Sequence, residues 1–318
     1  LDLANWLLDP QHPLTARVTV NREWQRFFGT GLVASSEDFG RQGELPSHPQ
    51  LLDFLAVRFI ETGWDLKQLH QDIVLSATYR QSSSAPEQAY LDDPDNRMLA
   101  RGPRFRLPSW MIRDQALALA GLLVEQQGGP PVRPYQPDGV WAEATFDTIR
   151  YQQDSGESLY RRSLYVFWRR IVQPTFFFDT AKRQLCSVRP NLTNSPLHAL
   201  VTQNDPAYVE AARCFAQRAL TEGISPFAGI DEFGAVETGM RWAFRMATAR
   251  ELRGEEQALL VDRWVELVEH YRAKPEAARA LISVGESPAQ QDLPSAELAA
   301  MSVICSIILN LDEVLTKS

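Results

Sequence analysis

The chain has 318 residues, 44% hydrophobic and 23% charged, with 32 basic against 40 acidic side chains and a formal net charge of −8. That length fits one large domain or two small ones and is enough to bury a sizeable core. The acidic balance argues against a general nucleic-acid or anionic-membrane binder, which needs a basic face. No run of 18 apolar residues is present, so no membrane-spanning helix is expected.

In chain order the signals are mainly helical. Leu14 to Phe28 reads as a helix stopped by Gly29. Ser47-His48-Pro49-Gln50 offers a capping serine and a first-turn proline for a helix running to Glu61. Asp65 caps the next, with Leu66, Leu69, Ile73 and Ala77 on one face; Asp95 opens a short helix through Ala100. Ser109 to about Glu125 follows, closed by Gly128-Gly129. Residues 126–137 are rich in glycine and proline and break the pattern. From there to about 195 the helical periodicity is weak, and Leu164-Tyr165-Val166-Phe167-Trp168 reads as a short strand or hairpin. Helices resume at Ser195-Pro196, Asp205-Pro206, Asp231, Gly254 and Pro275. The last, from Ser295, buries Leu298, Met301, Cys305 and Ile308. The expected fold is mainly α. It has an N-terminal helical lobe over 1–127, an irregular insert with short strands over 128–194, and a C-terminal helical lobe over 195–318. One domain overall is the alternative.

The chain carries no G-x-S-x-G, Walker loop, G-x-G-x-x-G after a strand or H-E-x-x-H. Cys186, Cys214 and Cys305 lie far apart, and no C-x-x-C-H is present, so this chain has no attachment motif for haem c. The beginning, Leu1-Asp2-Leu3-Ala4-Asn5-Trp6, reads as the interior of a longer protein. Only four of the basic residues are lysine and 28 are arginine, a residue suited to bidentate recognition of anions. Residues 151–200 carry seven basic and three acidic side chains, and residues 251–318 six and twelve.

Three segments hold candidate chemistry. The loop from Ser36 to His48 groups Asp38, Glu44 and His48, which could hold a hard cation, although it lacks the alternation of a calcium loop. Trp141 and Glu143, with Arg161 and Arg162, interleave aromatics, carboxylates and arginines as a sugar, anion or protein site would. Asp179, Arg183, Arg189 and Asn194 lie near two helix N-termini, which attract anions.

Several stretches together resemble a known family. They include Pro13-Leu14-Thr15-Ala16-Arg17-Val18 with Asn21-Arg22 and Trp24, and Asp38-Phe39-Gly40. Gly63-Trp64-Asp65-Leu66-Lys67 and Ser76-Ala77-Thr78-Tyr79-Arg80-Gln81-Ser82 also match. Further on come Leu159-Tyr160-Arg161-Arg162-Ser163-Leu164-Tyr165, Cys186 with Arg189, Thr193-Asn194-Ser195-Pro196-Leu197 and Asn204-Asp205-Pro206. The chain resembles the carboxy-terminal domain of unknown function that accompanies cytochrome-c-like domains in large secreted proteins of planctomycetes and related bacteria. The resemblance implies export to a periplasmic or secreted location and a haem c carried by a separate domain of the parent. It supplies no catalytic residues.

Three functions compete. The first is a helical module docking another domain of the parent or a protein partner, with an exposed aromatic and arginine surface around 135–190. The second is an enzyme or binding domain for an anionic polysaccharide or similar ligand, using Trp141, Tyr151, Tyr160 and Trp168 beside the arginines. The third has the acidic segment 251–318 dock an electron-transfer partner by charge.

Overall fold

A computed structural model describes residues 1–169, 171–179, 188, 192–223 and 232–317. Two units emerge. The first holds Leu1–Arg106 with Val188, Thr316 and Lys317, and the second the remaining described residues from Leu107 to Leu315. The fold is mainly α, with fourteen α-helices and one two-stranded sheet among the described residues.

The first unit is built on α1 (Asp2–Leu7), α2 (Thr15–Phe28), α3 (Pro49–Glu61), α4 (Leu66–Leu75) and α5 (Glu87–Asp92). Val20 and Trp24 of α2, Leu52, Leu55 and Phe59 of α3, and Leu69 and Ile73 of α4 form its core. Asp65 caps α4 as its sequence position predicts, accepting from the Lys67 and Gln68 backbone N–H groups. Ser47 does not cap α3: its hydroxyl donates to the Leu32 carbonyl instead, and His48 holds the cap position. The helix expected at Asp95 is displaced to α5, because Asn96 and Leu99 take left-handed backbone (φ 50 and 55) that a helix forbids. Strands β1 (Phe105–Arg106) and β2 (Thr316–Lys317) pair antiparallel. The short strands therefore pair residues 105–106 with the C-terminal residues 316–317, and neither falls at 164–168. There a 3-10 turn (Ser163–Tyr165) leads to an isolated bridge between Val132 and Val166.

The second unit contains α6 (Ser109–Leu119), α7 (Val140–Thr145), α8 (Pro196–Asn204), α9 (Pro206–Thr221), α10 (Glu232–Thr248), α11 (Gly254–Ala273), α12 (Pro275–Ile282), α13 (Ser295–Leu309) and α14 (Asp312–Leu315). Helix α6 stops well before Glu125. Gly121 turns left-handed (φ 72), and the Leu122 and Leu123 N–H groups fold back onto the Leu117 carbonyl. Helix α9 is the centre. It packs on α6, α8, α10, α12 and α13, and its buried residues run round the whole helix, from Tyr208 and Ala211 to Phe215 and Ala219. Asp205 caps it through the Ala207 N–H. Asp231, where the notional start of α10 falls, lies outside the described residues.

Candidate functional site

Several charged residues of the second unit turn inward. Glu210 on α9 is 1% exposed and Arg213, one turn on, is fully buried. The Glu210 carboxylate accepts from the Tyr135 hydroxyl at 2.9 Å, the Tyr160 hydroxyl at 2.8 Å and the Ser287 N–H at 2.6 Å. Arg213 lies 3.8 Å from it and donates to the Ser287 carbonyl and the Gln217 side chain. Burial, with the Glu210 carboxylate beside them, pushes both phenols above their usual range. Gly285 allows this closeness: its backbone is left-handed (φ 89), and a Cβ there would stand 2.1 Å from the Glu210 Cδ.

A second cluster supports the irregular segment. Arg113 on α6, 1% exposed, donates to the Leu159 and Arg161 carbonyls and to the Ser163 hydroxyl, while Asp114 accepts from the Ser163 N–H and hydroxyl. Burial pulls the Arg113 guanidinium below its usual range. Arg161 donates to the Gln126, Gly128 and Pro130 carbonyls and lies over the Tyr165 ring. Its guanidinium is spent on its own chain. Arg162 stays exposed, 3.7 Å from Glu125.

Trp141 is buried on α7, stacked on Tyr151 and Phe167, and its indole N–H donates to Gln136. Glu143 faces solvent on the same helix. No hydrogen bond or ion pair joins Trp141 or Glu143 to Arg161, Arg162 or Asp179. The aromatic and arginine surface expected over 135–190 is thus largely internal at Trp141, Tyr160 and Arg161, and among the described residues its exposed apolar groups include Val140, Phe146, Leu164 and Ile171.

Asp179 does find chemical company. Its side chain is 2% exposed and accepts from the Thr193 hydroxyl at 2.6 Å. The His198 Nε2 of α8 lies 4.0 Å from the same oxygen, with the imidazole stacked on Phe178. The other Asp179 oxygen and the His198 Nδ1 are buried without a hydrogen-bond partner. Asn194 is exposed. Arg183, Arg189 and Cys186 lie outside the described residues.

The loop carrying Asp38, Glu44 and His48 is held by local bonds. Asp38 accepts from the Gly40 N–H, the Glu44 N–H donates to the Ser35 hydroxyl, and the His48 Nδ1 sits 3.0 Å from the Ser47 hydroxyl. Among the described residues no three His, Cys, Asp or Glu side chains gather as a metal would require, and these three do not. A cavity of about 10 Å³ lined by Ile112, Tyr208, Thr202 and Asn310 has room for a single water. No described helix is long and apolar enough to cross a membrane.

Sequence reasoning missed Glu210, Tyr135, Arg113 and His198. The first left a trace: Glu210 and Arg213 stand one turn apart inside the otherwise apolar run of α9.

Fold and site together define a mainly α module whose buried charges brace its own loops. The chain belongs to the PSD1 family, described as a protein of unknown function (DUF1553), which matches residues 1–264. No curated protein and no solved structure matches it.

Proposed function

We propose that this chain is a helical module of a larger extracytoplasmic protein and that it docks a partner domain or protein, foremost a c-type cytochrome domain of the same parent. The haem belongs to that domain and not to this chain. The family resemblance in the sequence supports the setting. The observation that carries docking is α1, which includes Leu3, Trp6 and Leu7 yet buries none of its residues. A helix of six residues is marginal in water without a surface to pack on. Its apolar side chains suit a partner that covers them.

The test is a calorimetric titration of the chain with the purified haem-bearing domain. The reading predicts a dissociation constant below about 100 µM, weakened about tenfold by Trp6→Ser, since one buried aromatic anchor is worth that much or more. No measurable binding at that concentration contradicts it. Binding to an anionic polysaccharide with the haem domain inert would replace it by the ligand-binding alternative.

A further inference from the structure

The turn after α7 departs from ordinary backbone. Phe146 and Asp147 are successive non-glycine residues with left-handed φ of 51 and 59. Such backbone is costly for a bulky side chain, and it persists only where the surroundings impose it. Here they do. The buried Thr145 hydroxyl donates to the Trp141 carbonyl at 2.6 Å and accepts from the Ile149 N–H at 3.1 Å. The Thr148 hydroxyl donates to the Thr145 carbonyl, and the Asp147 N–H to the Ala142 carbonyl. Trp141 anchors the turn from beneath through its stacking on Tyr151 and Phe167.

What this bracing holds in place is a phenyl ring that is 91% exposed. The core makes no use of it. An aromatic carried on a stiff turn has its backbone already fixed when it enters a pocket, one trait of a binding anchor. Its neighbours carry a sign. Asp138, Glu143 and Asp147 are exposed carboxylates on this short segment, against one exposed guanidinium, Arg150.

We propose that the Phe146 turn is an insertion element for a partner protein that offers an apolar pocket of phenyl size rimmed by lysine or arginine. This rests on the docking reading above and names its point of contact and the chemistry of the partner. Complementary charges would steer the encounter and make it salt-sensitive.

The experiment places the photo-cross-linker p-benzoylphenylalanine at position 146, in the full chain within the cells that produce it, with matched probes at Leu91 and Leu164. Both comparison positions are exposed. The expected result is one discrete cross-link from position 146, to another domain of the same parent or to a second protein, mapped by mass spectrometry to a net-basic segment of that partner. After partner identification, its yield in vitro falls at least about threefold between 0.05 and 0.5 M salt, as an exposed charge interaction requires. The combined Asp138→Asn, Glu143→Gln and Asp147→Asn change lowers the yield similarly. An adduct no stronger than that from Leu91, one formed only with a second copy of the chain, one on an acidic segment, or one indifferent to salt overturns the proposal. Capture from Leu164 with none from 146 overturns this contact and leaves docking standing. Capture from none of the positions counts against both.

Discussion

Replacing Glu210 by alanine removes the centre of a buried network. Its carboxylate accepts from two buried phenols and one backbone N–H, and it is the nearest anion to a fully buried arginine. The loss leaves Arg213 with neutral acceptors and takes the carboxylate away from the Tyr135 and Tyr160 hydroxyls. Removing one member of a buried ionic pair costs about 3–5 kcal/mol. In a unit of this size each kcal/mol moves Tm by about 2–4 °C, so the drop is about 6–20 °C. Tyr160→Phe removes a single hydrogen bond to a charged group and costs about 1.5–3 kcal/mol. The two changes couple, because both remove the same Tyr160–Glu210 hydrogen bond. The assay is urea unfolding followed by hydrogen exchange at the α9 amides, which reads the second unit. A loss below about 1 kcal/mol for Glu210→Ala, or strict additivity with Tyr160→Phe, refutes the claim that this network braces the unit.

Other perturbations test neighbouring parts of the account. Gly285→Ala forces a Cβ against Glu210 and a left-handed alanine, and should cost at least about 2 kcal/mol by the same assay. Glu256, hydrogen-bonded to Arg250, has its pKa lowered from 4.5 to about 2. Its contribution is therefore complete above about pH 4.5 and fades as pH falls toward 2, so the stability gap to Glu256→Gln should close across that window. Asp205 is the reverse case: burial raises its pKa above 3.8, so the wild type loses stability as pH climbs from 3.8 through the folded value. Asp205→Asn keeps an oxygen for the Ala207 N–H and avoids that loss, so its stability relative to wild type should improve over the same climb; a flat difference refutes the assignment. Cys305 is fully buried and its thiol pushed up by burial, so iodoacetamide should leave it unlabelled until the chain unfolds.

The helices were legible where one local chemical rule decides them. Asp65 and Asp205 cap as read, because an aspartate before an apolar periodic run has few better uses for its carboxylate. Ser47 was misread because its hydroxyl reaches a carbonyl fifteen residues away, and Asp95 because left-handed backbone at Asn96 and Leu99 gives no composition signal. The candidate site was less legible. Arg161 looks like a ligand group in sequence, yet it is consumed by the carbonyls of Gln126, Gly128 and Pro130, and backbone acceptors have no side-chain signature. Glu210 gathers partners from 135, 160 and 287, a meeting set by tertiary packing alone. Asp179 was singled out for its charge; its pairing with His198 depends on where α8 begins.

The central claim is that this chain is built to be covered by a partner, and hydrogen exchange with and without the saturating haem-bearing domain tests it most directly. The account predicts new protection in α1, with α9 and α13 unchanged because they are already buried. Identical exchange in both states, or protection confined to segments remote from the exposed apolar groups of α1, would contradict it.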